Sequence, residues 1–335
     1  MENILELKSL LSTPKDIAIT SHRNPDGDAI GSSLATYHFL KRQGHTVTVI
    51  FPSEYPDNFA WMPDAKEILI HDIEPDDANY VLKKADLIFS LDYNALERVD
   101  KMGEVIAPLP CKKVLIDHHL YPENFADFVL SDTTASSTCE LIYDFIGLLG
   151  EKKNIDVLIG ECLMTGILTD TGSFKYSTSP KLFRIVADLL ERGVDDYTLQ
   201  DVIFNSLTEK QLRLLGHVLD NRMEILPEYK TGIFTLTKKD YEFFDIQRGD
   251  TEGIVNYLLM LKNVKVAVFI HEQPTIVKIS MRSKGDFSVQ EICRKHFRGG
   301  GHKNASGGAS YSSLSATVNK FKRLLPEYKE QLDRL

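Results

Sequence analysis

The sequence predicts an α/β protein of two domains: a first with a mainly parallel sheet flanked by helices, and a second, smaller α/β unit. Three observations predict it. Short β-branched runs alternate with helix-period segments through the first half, and each run ends in polar residues, as parallel strands do at the carboxyl edge of a sheet. The 335 residues exceed one average domain. Beyond about residue 225 the pattern changes, and β-rich segments follow one another more closely.

Taken in order, Asp16–Thr20 reads as a strand running into a polar loop, and 29–43 as a helix ending at Gly44. Residues 45–51, 85–92, 113–117 and 126–131 read as further strands. Ser137-Thr-Cys-Glu140 matches a capping box, which predicts a helix carrying 141–149. Helices are expected at 155–168 and 181–191. The polar segment 192–222 reads as helical, without a strand. Strands at 231–237, 264–271 and 275–281 follow, with helical stretches at 252–262 and 288–296, a glycine cluster, and a last helix from Ser313. The expected boundaries are a first domain over 1–190, a helical linker over 191–224 and a second domain over 225–335.

Composition narrows the function classes. With 43% hydrophobic and 26% charged residues, the chain is an ordinary globular one rather than a disordered or fibrous one. No run approaches the roughly 18 apolar residues of a membrane helix, and the start lacks a secretory pattern. The four scattered cysteines form no CxxC pair, which argues against a disulfide framework or structural zinc and makes the cytoplasm the expected compartment. The net charge of −9 speaks against a scaffold for duplex DNA, although bound metal can reverse the field at one local site.

Four segments carry chemistry. His22-Arg-Asn-Pro-Asp26-Gly-Asp28 follows the first strand, and Pro25 and Gly27 permit a turn that gathers its histidine and carboxylates. Asp92 ends a strand, Asp117-His118-His119 ends another, and Asp170 lies in Gly166–Phe174, read as a polar loop after an apolar helix. Carboxylates collected at one sheet edge repel unless cations separate them. Hard divalent ions that accept imidazole, Mn²⁺ foremost and Mg²⁺ or Co²⁺ besides, suit a His/Asp set better than Zn²⁺ in a thiolate site. Two such ions about 3.5–4 Å apart form a clamp for displacement at phosphorus.

The order and spacing of these segments resemble the four motifs of the DHH phosphoesterases, and Arg298-Gly-Gly-Gly-His302-Lys-Asn-Ala-Ser-Gly-Gly308 resembles the glycine-rich motif of the DHHA1 domain. The resemblance spans nearly the whole chain and implies a DHH catalytic domain followed by a DHHA1 domain with a mixed sheet. It implies one metal on His22, Asp26 and Asp92, and a second on Asp28, Asp92, His118 and Asp170. A water shared by the ions would then act as nucleophile. His119 would serve the phosphate or leaving group as acid or electrostatic partner. Arg282, Ser283, Gly300, Gly301 and His302 would hold the other end of the substrate, with the glycine loop offering backbone N–H groups to an anion. The length and layout fit the oligoribonuclease and pAp (adenosine 3′,5′-bisphosphate) phosphatase type. The expected substrates are short single-stranded RNA, pAp or pApA, with no membrane or extended duplex DNA, and a homodimer is plausible from relatives. Rival readings are a linear or cyclic dinucleotide phosphodiesterase, a RecJ-like single-strand exonuclease, and a non-catalytic nucleotide binder. Phe174, Tyr176, Arg23, Lys175, Ser136 and Ser137 read as packing, capping or solvated loop residues.

Overall fold

A computed structural model describes every residue except 2, 206 and 248, and it divides the chain into two compact units, Met1–Ser206 and Leu207–Leu335. The first unit runs α1 (Ile4–Leu10), β1 (Asp16–Thr20), α2 (Gly27–Arg42), β2 (Thr46–Phe51), β3 (Leu69–Ile70), α3 (Pro75–Lys84), β4 (Leu87–Leu91) and α4 (Lys101–Ile106). It continues with β5 (Lys112–Asp117), β6 (Phe128–Ser131), α5 (Thr138–Leu148), α6 (Val157–Thr171), α7 (Pro180–Glu191) and α8 (Asp196–Phe204). The strands pair in parallel in the order β3-β2-β1-β4-β5-β6. Apolar side chains on one sheet face (Ile17, Ile19, Phe89, Val114) pack with α2, α5 and α6; Ala18, Ile50 and Ile88 pack with α3 and α4 on the other. Both faces are therefore buried, which is why these strands read as continuous apolar runs.

This order has a consequence for the site. The chain leaves β1 toward β2 and β3, then returns to lay β4 on the other side of β1. The strand order therefore reverses between β1 and β4, and in open parallel sheets the crevice at the carboxyl ends of such strands is where ligands bind.

The second unit comprises α9 (Glu209–Asn221), β7 (Met223–Leu226), β8 (Thr231–Leu236), α10 (Lys238–Phe243), α11 (Ile254–Leu259), β9 (Val266–Glu272), β10 (Val277–Ser283), α12 (Val289–His296), β11 (Gly300–His302), β12 (Ala305–Ser310) and α13 (Leu314–Asp333). Its sheet, ordered β11-β12-β10-β9-β8-β7, is mixed, with β8 and β9 parallel and the other pairs antiparallel.

Three expectations are corrected. The helix expected from residue 29 starts at Gly27, because the Asp26 carboxylate caps it by accepting the Asp28 and Ala29 N–H groups. The capping box at 137–140 is only half made. Ser137 Oγ accepts the Glu140 N–H, but the Glu140 carboxylate accepts instead from the Ser136 N–H and hydroxyl and pairs with Lys181. The glycine cluster is not a free loop. Gly300–His302 forms β11, zipped to β12 with Gly300 opposite Gly307, and a Cβ on Gly299 would lie 1.9 Å from the Gly307 carbonyl oxygen. The segment 191–224 contains α8 in one unit and α9 in the other.

Candidate metal centre and phosphate grip

The carboxyl ends of β1, β4 and β5 deliver His22, Asp92 and the 117–119 triplet to one rim. Asp92 takes φ +62° as the chain leaves β4, an uncommon conformation for a residue with a Cβ and one that recurs at functional sites. Its N–H is held by the Ile116 carbonyl. In this pose the two carboxylate oxygens face different partners. Oδ2 lies 3.3 Å from His22 Nε2, while Oδ1 lies 3.6 Å from His118 Nε2 and accepts the Thr138 hydroxyl at 3.0 Å.

Helix packing brings the remaining carboxylates in. Small residues let α2 and α6 approach closely: a Cβ on Gly31 would sit 2.5 Å from the Cys162 carbonyl oxygen, and one on Gly166 would sit 2.5 Å from Asp28 Oδ1. Asp28, in the first turn of α2, is fully buried and receives the first two N–H groups of α5, from Thr138 at 2.5 Å and Cys139 at 2.9 Å. Asp170 lies in the last turn of α6 rather than in a loop, because that helix runs on to Thr171 and ends at Gly172 with φ +56°. Its Oδ2 reaches His118 Nε2 at 3.2 Å.

The donors fall into two groups that share Asp92. His22, Asp26 and Asp92 form one, and Asp28, Asp92 and His118 the other; the ligand atoms within each lie within 4.8 Å of one another. A third group, Asp92, Asp117 and His119, adjoins them. Asp170 meets the second group at His118. The Asp26 side chain is 58% exposed, whereas that of Asp92 is 2% exposed. Of the six residues expected as metal ligands, five fall in these two groups and Asp170 joins through its contact with His118.

The electrostatics explain why such a set needs cations. Burial, with Asp92 and Asp170 alongside, pushes the Asp28 carboxyl well above the usual carboxylate range, and burial with Asp26 alongside does the same to Asp92. Burial would lower His118, but the Asp170, Asp28 and Asp92 carboxylates outweigh it and hold the imidazole well above its ordinary value. Carboxylates crowded and buried in this way favour the arrival of divalent cations, and a donor set of imidazole nitrogen and carboxylate oxygen matches hard ions such as Mn²⁺ or Mg²⁺. The residues present fit that cofactor. Backbone carbonyls orient the rings, with His22 Nδ1 2.9 Å from Arg23 O and His118 Nδ1 3.3 Å from Ala135 O, so each presents Nε2 to the carboxylates. His119 is different. Its Nδ1 lies 2.7 Å from Asp117 Oδ1, and burial followed by the Arg98 and His118 charges lowers it well below the usual imidazole value.

In the second unit, strand register aligns the expected substrate-binding residues. Arg282 on β10 stands opposite Ala305 on β12, which stands opposite His302 on β11. Cross-strand partners share a face, so Arg282 and His302 flank a single methyl group. Gly300 lies opposite Gly307, and Gly307 opposite Ser280, in the neighbouring row. Gly301 takes φ +130°, with Ala305 O 2.7 Å from where its Cβ would be. Ser283 turns to the opposite, buried face. Its hydroxyl donates to the Phe287 carbonyl and accepts from Asn304 Nδ2.

Sequence reasoning missed Thr138 and the Cys139 N–H, which hold carboxylates of the centre, and named Asp117 within its motif without the role of holding His119. Only the helix start at 137–140 hinted at the first two.

Rim-held histidines and aspartates on a parallel sheet, joined to a mixed-sheet unit with a glycine strand, define a class of hydrolase. Residues 16–167 match the DHH family, N-terminal domain, and 237–333 match the DHHA1 domain. The chain belongs to the DHH family, whose phosphoesterases use divalent metals. Among similar proteins, the bifunctional oligoribonuclease and PAP phosphatase NrnA of Thermus thermophilus is 30% identical over 95% of this chain and 90% of its own. The Bacillus subtilis protein of the same description is 28% identical over 92% and 93%. A crystal structure of an exopolyphosphatase-related protein from Bacteroides fragilis matches with TM-score 0.94 and 40% identity, over 99% of this chain and 98% of that one. Among the described residues, no helix is long and apolar enough to cross a membrane.

Proposed function

We propose that this chain is a Mn²⁺-dependent phosphoesterase of the NrnA type that hydrolyses phosphoester bonds in very short RNA and in pAp. The observation that carries the reading is Asp92, whose two oxygens face separate His/Asp groups, supported by relatives described as oligoribonucleases and PAP phosphatases. His22, Asp26 and Asp92 would hold one divalent ion, and Asp28, Asp92, His118 and Asp170 a second. Bound there, the ions supply Lewis-acid polarisation of the phosphate and an acidified water as attacking group. Four aspartates (about −4) and two divalent ions (about +4) leave the centre near neutral before substrate arrives.

The chain's own residues do the rest. The Thr138 hydroxyl fixes the Asp92 carboxylate, and the α5 N-terminus fixes Asp28. Asp117 orients His119 through Nδ1 and favours the imidazolium that forms when a phosphate anion draws a proton onto Nε2, from which the leaving oxygen is protonated. Arg282, Gly300, Gly301 and His302 grip the far end of the nucleotide, with Ser283 bracing that strand through Asn304. A grip of one or two nucleotides, on a chain of net charge −9, favours short substrates over long ones. The test compares kcat/KM with Mn²⁺ for pAp, pApA, a five-nucleotide RNA, a long single-stranded DNA, a cyclic dinucleotide and pyrophosphate. The reading requires pAp or the short RNAs to lead; preference for long DNA or pyrophosphate overturns it.

A further inference from the structure

We propose that Arg98 binds a non-bridging oxygen of the substrate phosphate at the metal centre; the substrate's identity rests on the preceding reading, but the anion site does not. Arg98 lies within a short 3₁₀ turn, Leu96–Val99, just after the Asp92 loop. The turn is pinned from several sides. The Arg23 N–H donates to the Arg98 carbonyl at 2.8 Å, the Leu96 N–H donates to Glu123 Oε2 at 3.1 Å, and the Arg23 Nε pairs with Asp100 at 2.9 Å. Residue 98 is therefore fixed beside the loop that begins at His22.

The two arginines at this edge differ in one respect. The Arg23 guanidinium is neutralised, forked onto Asp72 with two 2.8 Å bonds and paired with Asp100. The Arg98 guanidinium is half-buried, and among the described residues no carboxylate, carbonyl or ring partners it. A partly desolvated cation without a counter-ion is costly. Beside a centre that must take up cations it also works against metal binding. The Arg98 carbonyl accepts the N–H of the residue that follows His22, which sets it at the edge of the centre. That placement becomes favourable once an anion lies between guanidinium and metals. With the centre near neutral, Arg98 adds the net positive charge that a phosphate dianion needs, and its planar fork matches two phosphate oxygens. Its predicted effect on metal affinity is opposite in sign to that of a ligand.

The experiment compares wild type, Arg98→Ala and Arg98→Lys. Calorimetry measures Mn²⁺ affinity of the metal-free proteins and inorganic phosphate affinity of the Mn²⁺-loaded ones, with kcat/KM on pAp alongside. Losing a charge-assisted hydrogen bond predicts phosphate binding weakened about 10- to 100-fold in Arg98→Ala, with Mn²⁺ affinity unchanged or tighter and the melting temperature unmoved. Arg98→Lys should recover part of the phosphate affinity. Phosphate affinity within about twofold of wild type in Arg98→Ala overturns the proposal, and so does Mn²⁺ affinity falling in step with it, which would mark a structural role. If wild type does not turn over pAp or short RNA, the functional reading fails, and the phosphate titration still decides the role of Arg98.

Discussion

Asp92 has two jobs that separate substitutions would distinguish. Asp92 is the carboxylate common to both donor groups, and it is buried. Asp92→Asn should lower kcat by about 10³-fold, the order expected for several kcal/mol of transition-state stabilisation, while far-ultraviolet circular dichroism stays native. Near wild-type turnover in purified protein would remove Asp92 from the centre. Thr138 acts through Asp92, so Thr138→Val should leave the helix start intact, because its N–H still reaches Asp28, and weaken Mn²⁺ binding about 10- to 100-fold as measured by titration. A loss of turnover at unchanged metal affinity would contradict that positioning role. All six ligand candidates were legible because each ends a strand or lies in a helix turn with a distinctive motif. Thr138 was not legible as a support, since its contribution is a hydrogen bond to Asp92, 46 residues away in the chain, and Asp117 was read only as part of its motif, because spacing does not reveal that its carboxylate holds His119. Arg98 was invisible for a related reason: an arginine in a turn is ordinary until its lack of a counter-ion is seen.

Among the elements, α2 and α6 bear most directly on the centre, because their closeness sets where Asp28 and Asp170 meet. Residues 27–40 of α2 are buried throughout, and glycine at 31 is required by the 2.5 Å approach to the Cys162 carbonyl oxygen. Gly31→Ala must push the helices apart or strain α2. Overpacking of this kind costs about 1–3 kcal/mol, which for a unit of this size predicts a melting temperature lower by roughly 3–10 °C. An unchanged melting curve would mean that the helices are not wedged as described. The strands were readable from their β-branched runs, yet their companions were less so. The two-residue β3 is too short to carry a period. The start of α2 was displaced because Asp26 is both cap and ligand candidate. Gly300–His302 looked like a loop because glycine runs usually are, whereas here the missing side chains let β11 and its neighbours approach closely.

For the whole molecule, division into a parallel-sheet unit and a mixed-sheet unit was visible as a change of pattern, and pH gives a handle on the second of them. Asp240, with its side chain 6% exposed, sits under Arg222, Thr237 and His217. Burial would raise its carboxyl, but the Arg222 and Thr237 hydrogen bonds outweigh it and hold the group at about 2. His271, buried beneath Tyr241 and Phe269, is lowered by burial and then by Lys278 to about 3. Both groups therefore bind protons more readily in the unfolded chain. From about pH 6.5 downward the unfolded state takes up the proton that folded His271 refuses, and near pH 4 the same begins for Asp240. Stability conferred by each is present at neutral pH and lost on acidification, that of Asp240 only as pH falls through about 2. Asp240→Asn removes one of the two. Relative to wild type it should cost about 2 kcal/mol at pH 7, and the difference should shrink as the pH is taken from 5 to 3 and below. Urea unfolding of both proteins across that range measures the difference, with the second unit's transition as the readout. A penalty that stays constant with pH would mean that Asn loses packing rather than charge, and would detach Asp240 from the acid sensitivity of the fold.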